Sequence, residues 1–138
     1  MTGCLVLDAG AVSALIGGVS RRQEEVRAAL RAASRLRRAV IIPAVILAEL
    51  YRGSRHSHAL DALLSREPGF VIRNTDRLFA RWVGGVLAAA RLGSKHLADA
   101  HVIAAAAEQG GGLVLTVDQK DLERLAASYP QVRVLALP

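Results

Sequence analysis

The stretch LADAHVIAAAAEQGGGLVLTVDQKDLERLAAS, residues 97–128, carries the order of elements that decides the fold. Residues 97–109 are strongly helix-forming, and Gly110, Gly111 and Gly112 end the run. LVLTV (113–117) is a short, branched, continuously apolar segment, as expected of a strand covered on both faces. DLERLAAS (121–128) returns to helical spacing before Pro130 breaks it. A helix, a buried strand and a second helix in succession imply a parallel sheet with helices packed against it.

The same alternation extends outward. CLVLD (4–8) reads as a strand, followed by the helix-like AGAVSALIG, which Gly17 and Gly18 end. Ser20 is placed to cap a helix over 21–38, where Val26, Ala29, Leu30, Ala33 and Leu36 recur at helical spacing. AVIIPA (39–44) is a second strand; Pro43 closes it and starts the helix carrying Glu49. Gly53 to Ser57 loosens that helix before another at about 58–65. After Pro68-Gly69, FVIRN (70–74) is a third strand, and Thr75 or Asp76 caps a helix over 76–92 that Gly93 stops. VRVLAL (132–137) is the last strand. No repeat, linker or domain boundary interrupts the pattern, and 138 residues suit one core, so residues 1–138 read as a single domain.

Composition narrows the function. Hydrophobic content of 52% excludes a disordered chain, and 4% aromatic residues supply a base-stacking platform poorly. Net charge is +6, and the segment 21–38 alone holds seven Arg against two Glu. In it Arg27, Arg31, Arg35 and Arg38 form a basic stripe. Such a surface suits a polyanion, and equally a solvated basic face. The single cysteine, Cys4, forms no internal disulfide, which suits a reducing cytoplasm. The first 18 residues lack a basic leader and Asp8 interrupts them, so they do not read as a signal peptide, and no apolar stretch is long enough for a membrane span.

Four acids stand in apolar contexts: Asp8 in CLVLDAGAV, Glu49 in PAVILAELYRG, Asp99 in HLADAHVIAAA and Asp118 in LVLTVDQKDL. Burying an unpaired carboxylate is costly, and the most economical shared partner is a divalent cation. Asp8 and Asp118 fall at the carboxyl ends of strands, the edge where open parallel sheets bind ligands. Glu49 and Asp99 lie on helices able to lean over that edge. Mg²⁺ or Mn²⁺ prefers carboxylate and water oxygens, and such a site activates a water for attack on a phosphodiester. Taken singly, each acid has another reading as a cap, a turn residue or half of an ion pair.

These segments, from the strand ending at Asp8 through PAVILAE, LADAHVIAAAA and LTVDQKDLERLA, resemble the PIN domain, and within it the VapC toxins of bacterial toxin–antitoxin pairs. The resemblance covers Leu5 to about Leu137 and is most specific around Glu49 and from Asp99 to Leu125. It implies a three-layer α/β/α PIN-like domain with a parallel, roughly five-stranded sheet. It also implies a Mg²⁺- or Mn²⁺-dependent endoribonuclease whose catalytic and metal-holding acids are Asp8, Glu49, Asp99 and Asp118. Thr116 maps to the hydroxyl residue supporting the last acid. Members usually form homodimers and are silenced by a cognate antitoxin whose tail crosses the active-site groove.

Other residues have plainer readings. Asp121 fits as the N-cap of the last helix, with the alternative that the resembled family uses an acid near this position in its site. Arg52 and Arg55 are RNA or antitoxin contacts, or solvated surface. His56 and His58 lack a cysteine partner for zinc; His96 and His101 flank Asp99 and either has the reach to approach the site, with a surface or packing role the plainer reading. The Gly110–Gly112 run, with no Lys-Ser/Thr after it, is a flexible connector rather than a phosphate loop. Trp82, Val86 and Ala89 share a helical face that reads as core, or as a dimer contact eased by Gly84 and Gly85. Two competitors remain. A phosphotransferase with an aspartyl nucleophile is disfavoured because Ala9 and Gly10 follow Asp8. A silent scaffold that binds RNA or a partner without cutting is disfavoured by the full set of acids.

Overall fold

A computed structural model describes residues 3–138; Met1 and Thr2, included in the single-domain reading, lie outside the described residues. Five strands form one parallel sheet: β1 (Cys4–Leu7), β2 (Ala39–Pro43), β3 (Phe70–Arg73), β4 (Gly112–Thr116) and β5 (Val132–Ala136), in the order β3-β2-β1-β4-β5. The chain winds outward from β1 to β3, then returns to lay β4 on the other side of β1. The switch point therefore lies between β1 and β4. Seven α-helices flank the sheet: α1 (Ala9–Ile16), α2 (Arg21–Arg35), α3 (Ala44–Leu50), α4 (Ser54–Arg66), α5 (Arg77–Ala90), α6 (Leu97–Glu108) and α7 (Gln119–Ala126). A 3₁₀ turn, Ser94–His96, leads into α6. None of the described helices is long and apolar enough to cross a membrane.

The central strand β1 is buried along its whole length. Helix α6 is buried continuously from Ala100 to Ala106. A helix apolar on all sides belongs in an interior, and its four successive alanines let α5, α7 and the sheet approach closely. Each fully buried Leu, Ile or Phe here contributes about 1.5–3 kcal/mol. Phe79 is one of them; it meets the His101 ring edge-on at 5.6 Å and lies 4.4 Å under the Arg73 guanidinium. Arg73 in turn forks onto Glu108 at 2.6 and 3.0 Å, tying the edge strand β3 to α6.

Several boundaries differ from the sequence reading. Helix α2 ends at Arg35, not 38. Arg37 adopts a left-handed φ of 54°, and the amides of Arg37 and Arg38 turn back onto the Ser34 and Ala33 carbonyls. That closure leaves Leu36 60% exposed rather than on the apolar face. Helix α4 begins at Ser54 instead of near 58, because Gly53 (φ 96°) makes the whole turn by itself. The Gly110–Gly112 run connects α6 to β4 through backbone that requires glycine. Gly110 and Gly111 take φ of 83° and 126°, and a Cβ on Gly112 would stand 2.6 Å from the Cys4 carbonyl oxygen. Asp76 and Ser20 do cap α5 and α2, accepting from Phe79 N at 2.8 Å and Gln23 N at 3.1 Å.

Candidate active site at the carboxyl edge of the sheet

Asp8 follows β1 directly and is only 4% exposed. Its Oδ1 accepts from the Ala11 amide at 2.9 Å, capping α1. Burial pushes its carboxyl above the usual range. Hydrogen bonds from the Thr116 hydroxyl and from the Ala11, Val117 and Gly10 amides pull it partly back. Thr116 ends β4 and is fully buried; its Oγ1 also accepts from the Asp118 amide at 2.8 Å. One hydroxyl thus ties the turn after β1 to the turn after β4. The close fit of those turns needs Gly10, whose Cβ would fall 2.5 Å from a Val117 methyl.

Asp118 lies two residues beyond the end of β4, at the N-cap position of α7, and its side chain makes no capping bond. It is exposed. Asp99 is the third residue of α6 and is partly buried. Its carboxyl is pushed up to about 6, by burial first and then by the negative charges of Asp118, Asp8, Asp121 and Glu49. The fold therefore brings all four anticipated acids into electrostatic reach of one another, with a fifth among them. No Lys or Arg forms an ion pair with any of the five among the described residues.

Two expectations about this site need correction. Glu49 was read as sitting in a buried setting, but it is exposed, as is Ala48; α3 turns Ile46, Leu47 and Leu50 inward instead. Asp121 is not a cap, because α7 begins two residues earlier, at Gln119. It stands in the first turn of α7, where its carboxylate comes near that of Asp99. Ligand atoms of His96, Asp99 and Asp121 all lie within 4.8 Å of one another. The Asp118-x-x-Asp121 spacing, which puts the second acid in the first turn whenever the first is the cap, was the available signal for Asp121. His96 had only its nearness to Asp99.

The remaining candidates separate cleanly. His101 is buried, its Nδ1 2.8 Å from the Leu97 carbonyl and its Nε2 3.0 Å from the Thr75 hydroxyl, so packing is its role. Arg52 and Arg55 are exposed on the linker and first turn of α4, and no hydrogen bond or ion pair ties either to the acids among the described residues. Cys4 is a free, buried thiol pushed up to about 11 by burial, hence unreactive. Beside α1 runs an open groove lined by Gly10, Ser13, Gly17, Arg21 and Arg22.

The donor set fits a divalent cation: the Asp99 and Asp121 carboxylates meet beside the His96 imidazole, Asp8, Asp118 and Glu49 lie within electrostatic reach, and no Lys or Arg pairs with any of these acids among the described residues. A parallel α/β domain with a cation-accepting cluster at its switch point defines the class. The PIN domain model matches residues 5–128, and the chain belongs to that family. Solved structures with the same fold include VapBC2 of Rickettsia felis bound to a promoter DNA fragment. That match is 17% identical, covers 98% of this chain and 99% of the other, and has a TM-score of 0.67. A toxin–antitoxin complex of Klebsiella pneumoniae is 21% identical over 93% and 94% of the two chains, with a TM-score of 0.66. FitAcB of Neisseria gonorrhoeae is 21% identical over 95% and 96%, with a TM-score of 0.64. At these identities the likeness is one of fold. No curated protein matches the chain significantly.

Proposed function

We propose that the protein is a Mg²⁺- or Mn²⁺-dependent endoribonuclease that serves as the toxin of a toxin–antitoxin pair. The observation that carries this reading is that Asp8, Glu49 and Asp118 lie within electrostatic reach of Asp99, with no Lys or Arg paired to any of them among the described residues, in a member of the PIN family. Asp8, Glu49, Asp99 and Asp118 are the acids that would hold the cation. When bound, it lowers the pKa of water and offsets charge on the phosphodiester. The protein's own contribution is placement. Asp8 is locked by its amide and hydroxyl bonds, and Thr116 sets the distance between the Asp8 and Asp118 turns. The +6 net charge and the arginines of α2 draw a polyanion toward this one anionic spot.

An antitoxin partner is supported by the complexes in which similarly folded chains occur. A homodimer suits an apolar hollow between α3, α5 and α6, lined by Val45, Ala48, Val83, Gly84, Leu87 and Leu97. The deciding experiment uses the full chain purified free of partner. It is expected to cleave RNA with Mg²⁺ or Mn²⁺, to stop in EDTA, and to lose at least 100-fold in rate as Asp8→Asn or Asp99→Asn, about the 2.7 kcal/mol of one transition-state contact. Cleavage by both variants at the parent rate sinks the mechanism. An inert parent that still binds RNA favours the silent scaffold.

A further inference from the structure

We infer that His96 supplies a nitrogen ligand to the cation, joining Asp99 and Asp121 in a site that favours Mn²⁺ and later transition metals over Mg²⁺. This rests on the metal-nuclease reading above and sharpens which ion that site selects.

The three groups come from separate places. His96 ends the 3₁₀ turn before α6, Asp99 lies in the first turn of α6, and Asp121 lies in the first turn of α7. All three are partly buried, and their ligand atoms lie within 4.8 Å of one another. Yet no hydrogen bond or ion pair joins the imidazole to either carboxylate among the described residues. A histidine beside two carboxylates ordinarily closes onto one of them. Here a gap of up to 4.8 Å separates their ligand atoms instead. Two ligands each about 2.1 Å from one cation are about 3 Å apart when adjacent and about 4.2 Å when opposite, so closing that gap takes side-chain movements of a rotamer's width at most.

A second observation points the same way. Asp99 feels the charges of Asp118, Asp8 and Glu49 as well as Asp121, and no Lys or Arg pairs with any of them among the described residues. Oxygen donors alone suit Mg²⁺, which keeps its waters and demands near-octahedral oxygen geometry. An imidazole discriminates against it and in favour of Mn²⁺, Co²⁺ and Zn²⁺, increasingly along that series. His56 and His58 on α4 and the buried His101 serve as internal comparisons, since none belongs to the cluster.

The test is binding by the full chain in the absence of RNA. Mn²⁺ and Mg²⁺ are titrated calorimetrically into the parent, His96→Gln and Asp99→Asn. The expected result is a parent preference for Mn²⁺ of at least tenfold. His96→Gln should weaken Mn²⁺ by about tenfold or more, the loss that even outer-shell changes inflict, and leave Mg²⁺ within about twofold. An independent readout avoids any substitution: Mn²⁺ at substoichiometric levels should broaden the His96 imidazole NMR signals ahead of those of His56 and His58. If His96→Gln binds Mn²⁺ as the parent does, or the His96 signals broaden no sooner than the others, the inference is wrong. If Asp99→Asn still abolishes binding in that case, the metal-nuclease reading stands without it. A parent that binds neither ion overturns both.

Discussion

Asp99→Asn should make the metal-free protein more stable at neutral pH, although it removes a residue proposed to hold the metal. The Asp99 carboxyl is raised from an ordinary 3.8 to about 6, by burial and then by four neighbouring carboxylates. At full burial that difference corresponds to about 3 kcal/mol against the ionised form. The group is only partly buried, so solvent screening reduces it to about 1–2 kcal/mol. Asparagine also forfeits the attraction of a carboxylate for the α6 N-terminus, about 0.5 kcal/mol. The net gain expected in EDTA at pH 7.5 is about 1 kcal/mol, or about 3–5 °C in Tm for a domain of this size. The pH dependence has a definite sign. A carboxyl whose folded pKa is raised contributes stability that is fully present below 3.8 and is lost as pH climbs through about 6. The parent should therefore lose more stability than the variant between pH 4 and 7. Thermal melts followed by circular dichroism, in EDTA across that range, measure it. Saturating Mn²⁺ should then reverse the order, adding about 2.7 kcal/mol to the parent at 100 times its Kd and little to the variant. A variant less stable than the parent at pH 7.5 in EDTA, or parallel pH profiles, would refute the reasoning.

Two further substitutions test how the site is held. Thr116→Val removes the buried hydroxyl that Asp8 and Asp118 share, leaving the Asp118 amide without its acceptor. It should cost about 1–3 kcal/mol in urea unfolding and weaken Mn²⁺ binding, while Thr116→Ser keeps both near the parent; equal affinities for Val and parent would remove Thr116 from the site. Gly112→Ala drives a methyl to 2.6 Å from both the Cys4 carbonyl oxygen and its Sγ. Because backbone must move, unfolding should fall by about 1–3 kcal/mol, and a neutral change would show that the β1–β4 approach is looser than this.

The strands and the switch point were legible because their signals are local and repeated. CLVL, VIIP and LVLT are continuous apolar runs, each followed by a helical pattern, and parallel order follows from the alternation alone. Asp8 was legible for the same reason, since the residue after a buried strand has one place to go. What escaped depended on how helices meet. The end of α2 was set by Arg37 accepting a left-handed conformation usually left to glycine or asparagine. Glu49 looked buried because Ala48 and Leu50 flank it, yet on a helix adjacent residues point about 100° apart, and only Leu50 faces inward. The meeting of His96 with Asp121 required knowing that α6 and α7 start side by side, which no local pattern encodes.

The same arrangement explains how five like charges share one edge of a marginally stable domain. Asp8 is the N-cap of α1, Asp99 lies in the first turn of α6, Asp118 stands at the N-cap position of α7 without a capping bond, and Asp121 lies in the first turn of α7. Three helix N-termini therefore converge on the cluster, each presenting about half a positive charge through its free amides. That backbone field is part of the fold whether or not a cation is bound, and it offsets a share of the repulsion that side-chain cations would otherwise have to neutralise. Glu49 is the exception. It is the sixth of seven residues in α3, near the negative end of its helix, and receives no such help. Like Asp118 it is exposed, so water rather than backbone solvates its carboxylate. The Asp99 carboxyl, raised by burial first and then by the repulsion those helix termini leave uncancelled, marks the place where a bound cation has most to contribute.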